Sequence, residues 1–200
     1  MRNEKYFKIF LIILFFYVSG ILITSIHEIG HLIWGYLNGC KDASIIVYPN
    51  FHGVMNCNDP NFKSAKNVVF ASSGFVSTTI VGIIAFTMYR VVRYKKNYLI
   101  SLFLFLLSFF SLSSLIYTIP VDSFLMRGDI VDILDAFHIN NLLLSAITFI
   151  LFLPLFYFFI REFPTVLKNM KVIKKGEERK SIAIFMIFIA AMIVLMLLGF

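Results

Sequence analysis

Residues 6–37 read YFKIFLIILFFYVSGILITSIHEIGHLIWGYL, and this stretch decides the fold. Only Lys8 and Glu28 carry a formal charge in it. A helix needs about 20 apolar residues to cross the hydrocarbon of a bilayer, so this run crosses and either tilts or continues beyond it. Burial inside a soluble core is excluded by the rest of the chain. Of its 200 residues 60% are hydrophobic, 14% are charged and 24 are Phe, which leaves too little polar surface to clothe a globular domain. Arg2, Lys5 and Lys8 ahead of the apolar run give it the look of a secretory signal. The run outlasts such a segment and no small-residue cleavage site closes it, so a retained span is expected.

Four further apolar runs, at 68–89, 98–119, 142–160 and 182–200, extend the pattern. They predict an all-α polytopic membrane protein with about five transmembrane helices, forming a single transmembrane domain over residues 1–200. After the first span, Ile45-Ile46-Val47-Tyr48, then Pro49-Asn50, then Gly53-Val54-Met55 place β-branched residues around a turn signal, which predicts a small β-hairpin-like loop. The net charge of +7 is spread in short clusters between spans rather than over one face, which argues against a nucleic-acid partner and for lipid headgroups. Three basic residues at the N-terminus, four in 90–96 and seven in 161–180 fall on one side if there are five spans. Lys41, Lys63, Lys66 and Arg127 fall on the other. The positive-inside rule then predicts a multi-pass protein of the cell membrane with a cytoplasmic N-terminus.

The chemistry lies in His27-Glu28-Ile29-Gly30-His31. Residues i and i+4 share a helix face, so both imidazoles can reach one ion, and neutral imidazole is a good zinc ligand. Glu28, one position after the first ligand, is placed to take a proton from water at an open coordination position. Four His and five Glu in the chain give about 0.002 matches to this pattern by chance. Each ionisable group at mid-membrane costs roughly 2.5–3.5 kcal/mol on insertion scales, so three in one turn imply a purpose beyond gluing helices. Catalytic zinc takes three protein ligands, and the third must come from elsewhere. Asp122, Asp129, Asp132 and Asp135 lie on the same side as the end of the first span, and Cys40, Cys57, His52 and His138 are also chemically capable. Cys40 and Cys57 bracket the hairpin, and a disulfide, free thiols or metal ligation all remain open for them.

Three features resemble the site-2 protease family of intramembrane zinc metalloproteases, peptidase family M50, and its short M50B-like members in particular. They are HEIGH at 27–31 on the first hydrophobic helix, Ser72-Ser73-Gly74-Phe75-Val76-Ser77 in the second span, and Arg127-Gly128-Asp129-Ile130-Val131-Asp132-Ile133-Leu134 after the third. The resemblance implies Zn2+ as cofactor, with His27, His31 and Asp129 as its ligands and Glu28 as the catalytic base. It also implies cleavage of a membrane-protein substrate in or near a transmembrane segment. No Gly follows Asp129 as it does in the family motif, which leaves Asp122, two residues past Pro120, as an alternative ligand. Two other functions remain open on sequence, a catalytically inactive metal-binding membrane regulator and an ion-translocating protein. Substrate identity and oligomeric state are not legible.

Overall fold

The computed structural model describes residues 2–59, 68–95, 97–113, 119–125 and 128–197. Lys63, Lys66, Lys96, Arg127, residues 114–118 of the third expected span and residues 198–200 of the fifth lie outside the described residues. The elements in chain order are α1 (Arg2–Leu37), β1 (Ala43–Val47), β2 (Gly53–Cys57), α2 (Val68–Val92), α3 (Tyr98–Ser113), α4 (Ile119–Leu125), α5 (Asp129–Phe137), α6 (Asn141–Asn169) and α7 (Glu178–Leu197). The protein is mostly helical with one small antiparallel sheet, as the apolar runs and the hairpin signal predict.

Among the described residues, three helices are long and apolar enough to cross a membrane: Tyr6–Leu37 of α1, α2 and α6. Of the third expected run, α3 covers 16 described residues, about 24 Å of rise, and the run's last residues, 114–118, are outside the described ones. Leu102, Phe105, Leu106 and Phe109 are almost wholly buried, and so are Ser101, Ser108 and Ser111. A run that is apolar on every face reads alike whether lipid or protein surrounds it, and here protein does. The fourth span runs to Asn169 rather than 160, because a helix satisfies its own backbone and need not stop where the hydrocarbon stops. It ends where Lys171 takes a left-handed φ of 56°. The fifth expected span falls on α7.

The core is aromatic. Phe105 of α3 contacts Tyr89, Phe159 and Phe163 with ring centroids 5.4–6.1 Å apart, and Phe185 of α7 stacks on Phe163 at 4.3 Å. Beside this cluster, Tyr89 Oη and Arg93 Nη1 both donate to Glu162 Oε1 at 2.9 Å, tying α2 to α6.

The other half of the bundle is held by small residues. Any Cβ on Gly30 of α1 would lie 2.5 Å from the Ser73 carbonyl oxygen and 2.6 Å from Ser77 Oγ of α2. Ser77 Oγ in turn donates to the Ile26 carbonyl at 2.9 Å. Helices approach this closely only where a side chain is missing.

The β1–β2 hairpin has the register Ile45↔Met55 and Val47↔Gly53. It folds back along α1. Its turn residue Phe51 sits over Gly20, where a Cβ would come within 2.6 Å of the ring, and Thr24 Oγ1 donates to the Phe51 carbonyl at 3.1 Å. Gly20 and Thr24 precede His27 in α1, so strand backbone reaches the depth of a spanning helix. Irregular backbone survives there only when paired or covered, and strand pairing supplies much of that. At its open end, a Cys40–Cys57 disulfide joins the hairpin to the residues just after α1, which settles one of the three alternatives for these cysteines.

Candidate metal centre

The i, i+4 spacing on α1 turns the His27 and His31 rings to one side, with Nε2 atoms 3.1 Å apart. α5 brings the third group. Ile130 and Leu134 are buried as α5 packs on α2, which leaves Asp129, in its first turn, facing α1. Asp129 Oδ2 lies 3.0 Å from His27 Nε2 and 2.9 Å from His31 Nε2, across 102 and 98 residues of chain.

The donor chemistry tests whether a metal fits. His31 Nδ1 stands 2.9 Å from the Phe70 carbonyl oxygen, which can only accept, so Nδ1 carries the proton. Ser73 Oγ, which itself donates to the Phe70 carbonyl at 2.6 Å, is 3.1 Å from the same nitrogen. In the neutral ring Nε2 then presents a lone pair, and it presents it to another imidazole nitrogen and a carboxylate oxygen. His31 Nε2 and Asp129 Oδ2, both acceptors 2.9 Å apart, cannot satisfy one another; a cation shared with His27 Nε2 can. Their separations of 2.9–3.1 Å sit just under the edge of roughly 3.3 Å that a tetrahedron with bonds of about 2.0–2.1 Å requires. Nitrogen and oxygen donors in this ratio suit zinc.

Space is reserved as well. A Cβ on Gly74 of α2 would lie 2.5 Å from His27 Nε2 and 2.7 Å from His31 Nε2, on the atoms that would hold the ion. Phe75 packs edge-on against the His27 ring at 5.3 Å. Glu28 is 6% exposed, and its carboxylate is covered by Gly53, where a Cβ would approach within 2.6 Å. The hairpin thus roofs the residue beside the candidate ligands, and the disulfide anchors the roof.

His27, His31 and Asp129 form a group of potential metal ligands within 4.8 Å of one another. The other candidates lie elsewhere. Asp122 is not among this group; its Oδ2 lies 3.4 Å from the Cβ position of Gly128, just before α5. His52 stacks on Tyr48 at 5.8 Å within the hairpin, and His138 is the exposed left-handed cap that ends α5. Cys40 and Cys57 are consumed by their disulfide. Sequence reasoning missed the Phe70 carbonyl, because a backbone acceptor has no sequence signal. It placed Gly74 in a motif and Gly53 in the hairpin without foreseeing that each makes room at the site.

The family model described as peptidase M50B-like matches residues 7–121, more than half of the chain. No curated protein and no solved structure matches it.

Asp129→Asn, which removes a direct ligand, is expected to weaken zinc binding by more than the roughly 10–100-fold typical of losing an outer-shell partner, whereas Asp122→Asn retains near-full occupancy; metal analysis against protein concentration distinguishes them. Gly74→Ala is expected to lose metal as Asp129→Asn does, because its methyl occupies the ion's place.

Proposed function

We propose, from the premise that the chain belongs to the peptidase M50B-like family, that it is an intramembrane zinc metalloprotease. Its substrates would be membrane proteins, cut in or near a transmembrane segment. The observation that supports this best is the convergence of His27, His31 and Asp129 beside a buried glutamate on a membrane-spanning helix. Metal binding alone would not need Glu28.

His27, His31 and Asp129 would hold the ion. When bound, zinc supplies a Lewis acid for the scissile carbonyl and lowers the pKa of water beside it. Glu28 accepts the proton of the attacking water and delivers it to the leaving amine. The Phe70 carbonyl keeps His31 in the tautomer whose Nε2 faces the site. The roof formed by Gly53 limits bulk water around Glu28.

A peptide bond in a membrane helix is shielded by its own hydrogen bonds, so a substrate must unwind before it is cut, and its freed backbone groups need partners. The hairpin offers them. Tyr48 N donates to the His52 carbonyl and Asn58 N to the Asp42 carbonyl, so the alternating antiparallel ladder turns the N–H groups of Val47 and Ile45 outward, away from β2. An extended substrate segment can add to that edge.

The basic clusters favour a cytoplasmic N-terminus in the cell membrane. The Cys40–Cys57 disulfide supports this, since such bonds persist in oxidising compartments and it lies at the opposite end of α1.

Three measurements test these statements. Glu28→Gln is expected to keep zinc but lower cleavage of a panel of membrane-anchored peptides by 10²–10⁴-fold; zinc present with cleavage unchanged would sink the assigned role. Val47→Pro removes an outward N–H without touching the hairpin's own ladder. It should slow cleavage of a matched substrate by roughly three- to tenfold, the value of about one hydrogen bond, and an unchanged rate argues against strand addition. In intact cells, a membrane-impermeant thiol reagent is expected to label Ser44→Cys and spare Lys95→Cys, and the reverse pattern inverts the topology.

A further inference from the structure

A cavity of about 560 Å³ opens at the end of the bundle remote from the metal ligands. Nineteen residues of α1 separate Lys8 from His27, about 28 Å of helical rise, so the two places lie near opposite faces of a bilayer. Glu4 and Lys8 of α1, Arg93, Tyr94 and Lys95 after α2, Tyr98 of α3, and Asn169, Met170 and Lys171 at the end of α6 line it. Its volume lies within the roughly 300–1,000 Å³ usual for ligand sites.

Basic residues at helix ends commonly serve only to set topology and to complement the terminal carbonyls, and they then reach out to water. Two of these do not. Lys8 is 9% exposed, with Glu4 as its partner at 2.5 Å. Arg93 is spent on Glu162 through Nη1 and stacks on the Tyr94 ring at 4.4 Å, while its buried Nε has no hydrogen-bond partner. Its carbonyl is fixed by Asn169 Nδ2 at 3.0 Å, so the wall between α2 and α6 is closed. Glu4 and Glu162 offset two of the four cations around the cavity. Lys95 and Lys171 remain in excess, so the rim of the cavity is net positive and suits a singly charged phosphodiester. Two tyrosines at the same level match the amphipathic belt that forms at the headgroup layer.

We propose that this cavity binds the phosphate-bearing headgroup of an anionic phospholipid. Lys95 and Lys171 would contact the phosphate, and Tyr94 and Tyr98 would flank the glycerol region. Phosphate chemistry is shared with soluble anions; the position at the headgroup layer between spanning helices favours the lipid.

The test uses the full-length protein in a neutral detergent, with bound lipid counted by native mass spectrometry. Phosphatidylglycerol is titrated against phosphatidylcholine of the same chains and against inorganic phosphate. The expected result is one phosphatidylglycerol retained in preference to phosphatidylcholine. Lys95→Ala combined with Lys171→Asn should weaken it about 25-fold, at about fivefold per lysine; Asn suits the left-handed backbone at 171. Both side chains are exposed, so unfolding in lipid-free detergent should not shift. A control pair at the same end but outside the cavity, Lys174→Ala with Lys175→Ala, should leave retention unchanged. Equal loss from the control pair, equal retention of phosphatidylcholine, or inorganic phosphate stabilising the protein as well as the lipid does would each overturn the proposal.

Discussion

Two imidazole nitrogens and a carboxylate oxygen, all within 3.1 Å of one another, form the constraint on which this end of the molecule turns. In water such a triad would drift apart and solvate itself. At membrane depth the alternatives are worse, since each polar group would meet hydrocarbon. The fold holds the triad by building on three helices at once. α1 supplies both rings from one turn, α2 fixes one ring through the Phe70 carbonyl and withholds a side chain at Gly74, and α5 delivers Asp129 from about a hundred residues away.

The same scarcity of water explains the use of small residues near the site. Gly20, Gly30, Gly53 and Gly74 each mark a place where another group stands where a Cβ would be. They admit, in order, the Phe51 ring, the backbone of α2, the Glu28 carboxylate and the metal-facing nitrogens. The other half of the bundle is packed instead by Phe105, Phe109, Phe159, Phe163 and Phe185. Close approach and bulk filling divide the molecule between them.

How far the sequence carried the reading depended on whether a feature has a local signature. The spacing of His27 and His31, the length of the first apolar run and the β-branched residues around Pro49-Asn50 are local, and each led to the element found there. Asp129 could be singled out among four aspartates only through the family resemblance, because its approach to His27 depends on how α5 packs. The burial of α3 inside the bundle was illegible for a physical reason: apolarity on every face cannot distinguish lipid from a protein interior. The Phe70 carbonyl and the roofing role of Gly53 were illegible, since a backbone acceptor and a missing side chain leave no trace in composition.

Both ends of α1 carry polar groups that fix its depth. Lys8 is buried at one end among the ends of α2, α3 and α6, and His27 lies some 28 Å away along an unbroken helix. A rigid rod with its basic end held at the headgroup layer has little freedom to slide along the membrane normal. On the proposed reading, that fixes the level at which Glu28 meets a substrate. The position of the cut along a transmembrane segment would then follow from helix length as much as from side-chain recognition. The hairpin edge runs alongside the same rod, from Phe51 over Gly20 to Gly53 over Glu28, so an added substrate strand inherits that depth. Selectivity of this kind needs no deep side-chain pocket. It needs only that a substrate helix unwind where the fixed site can reach it.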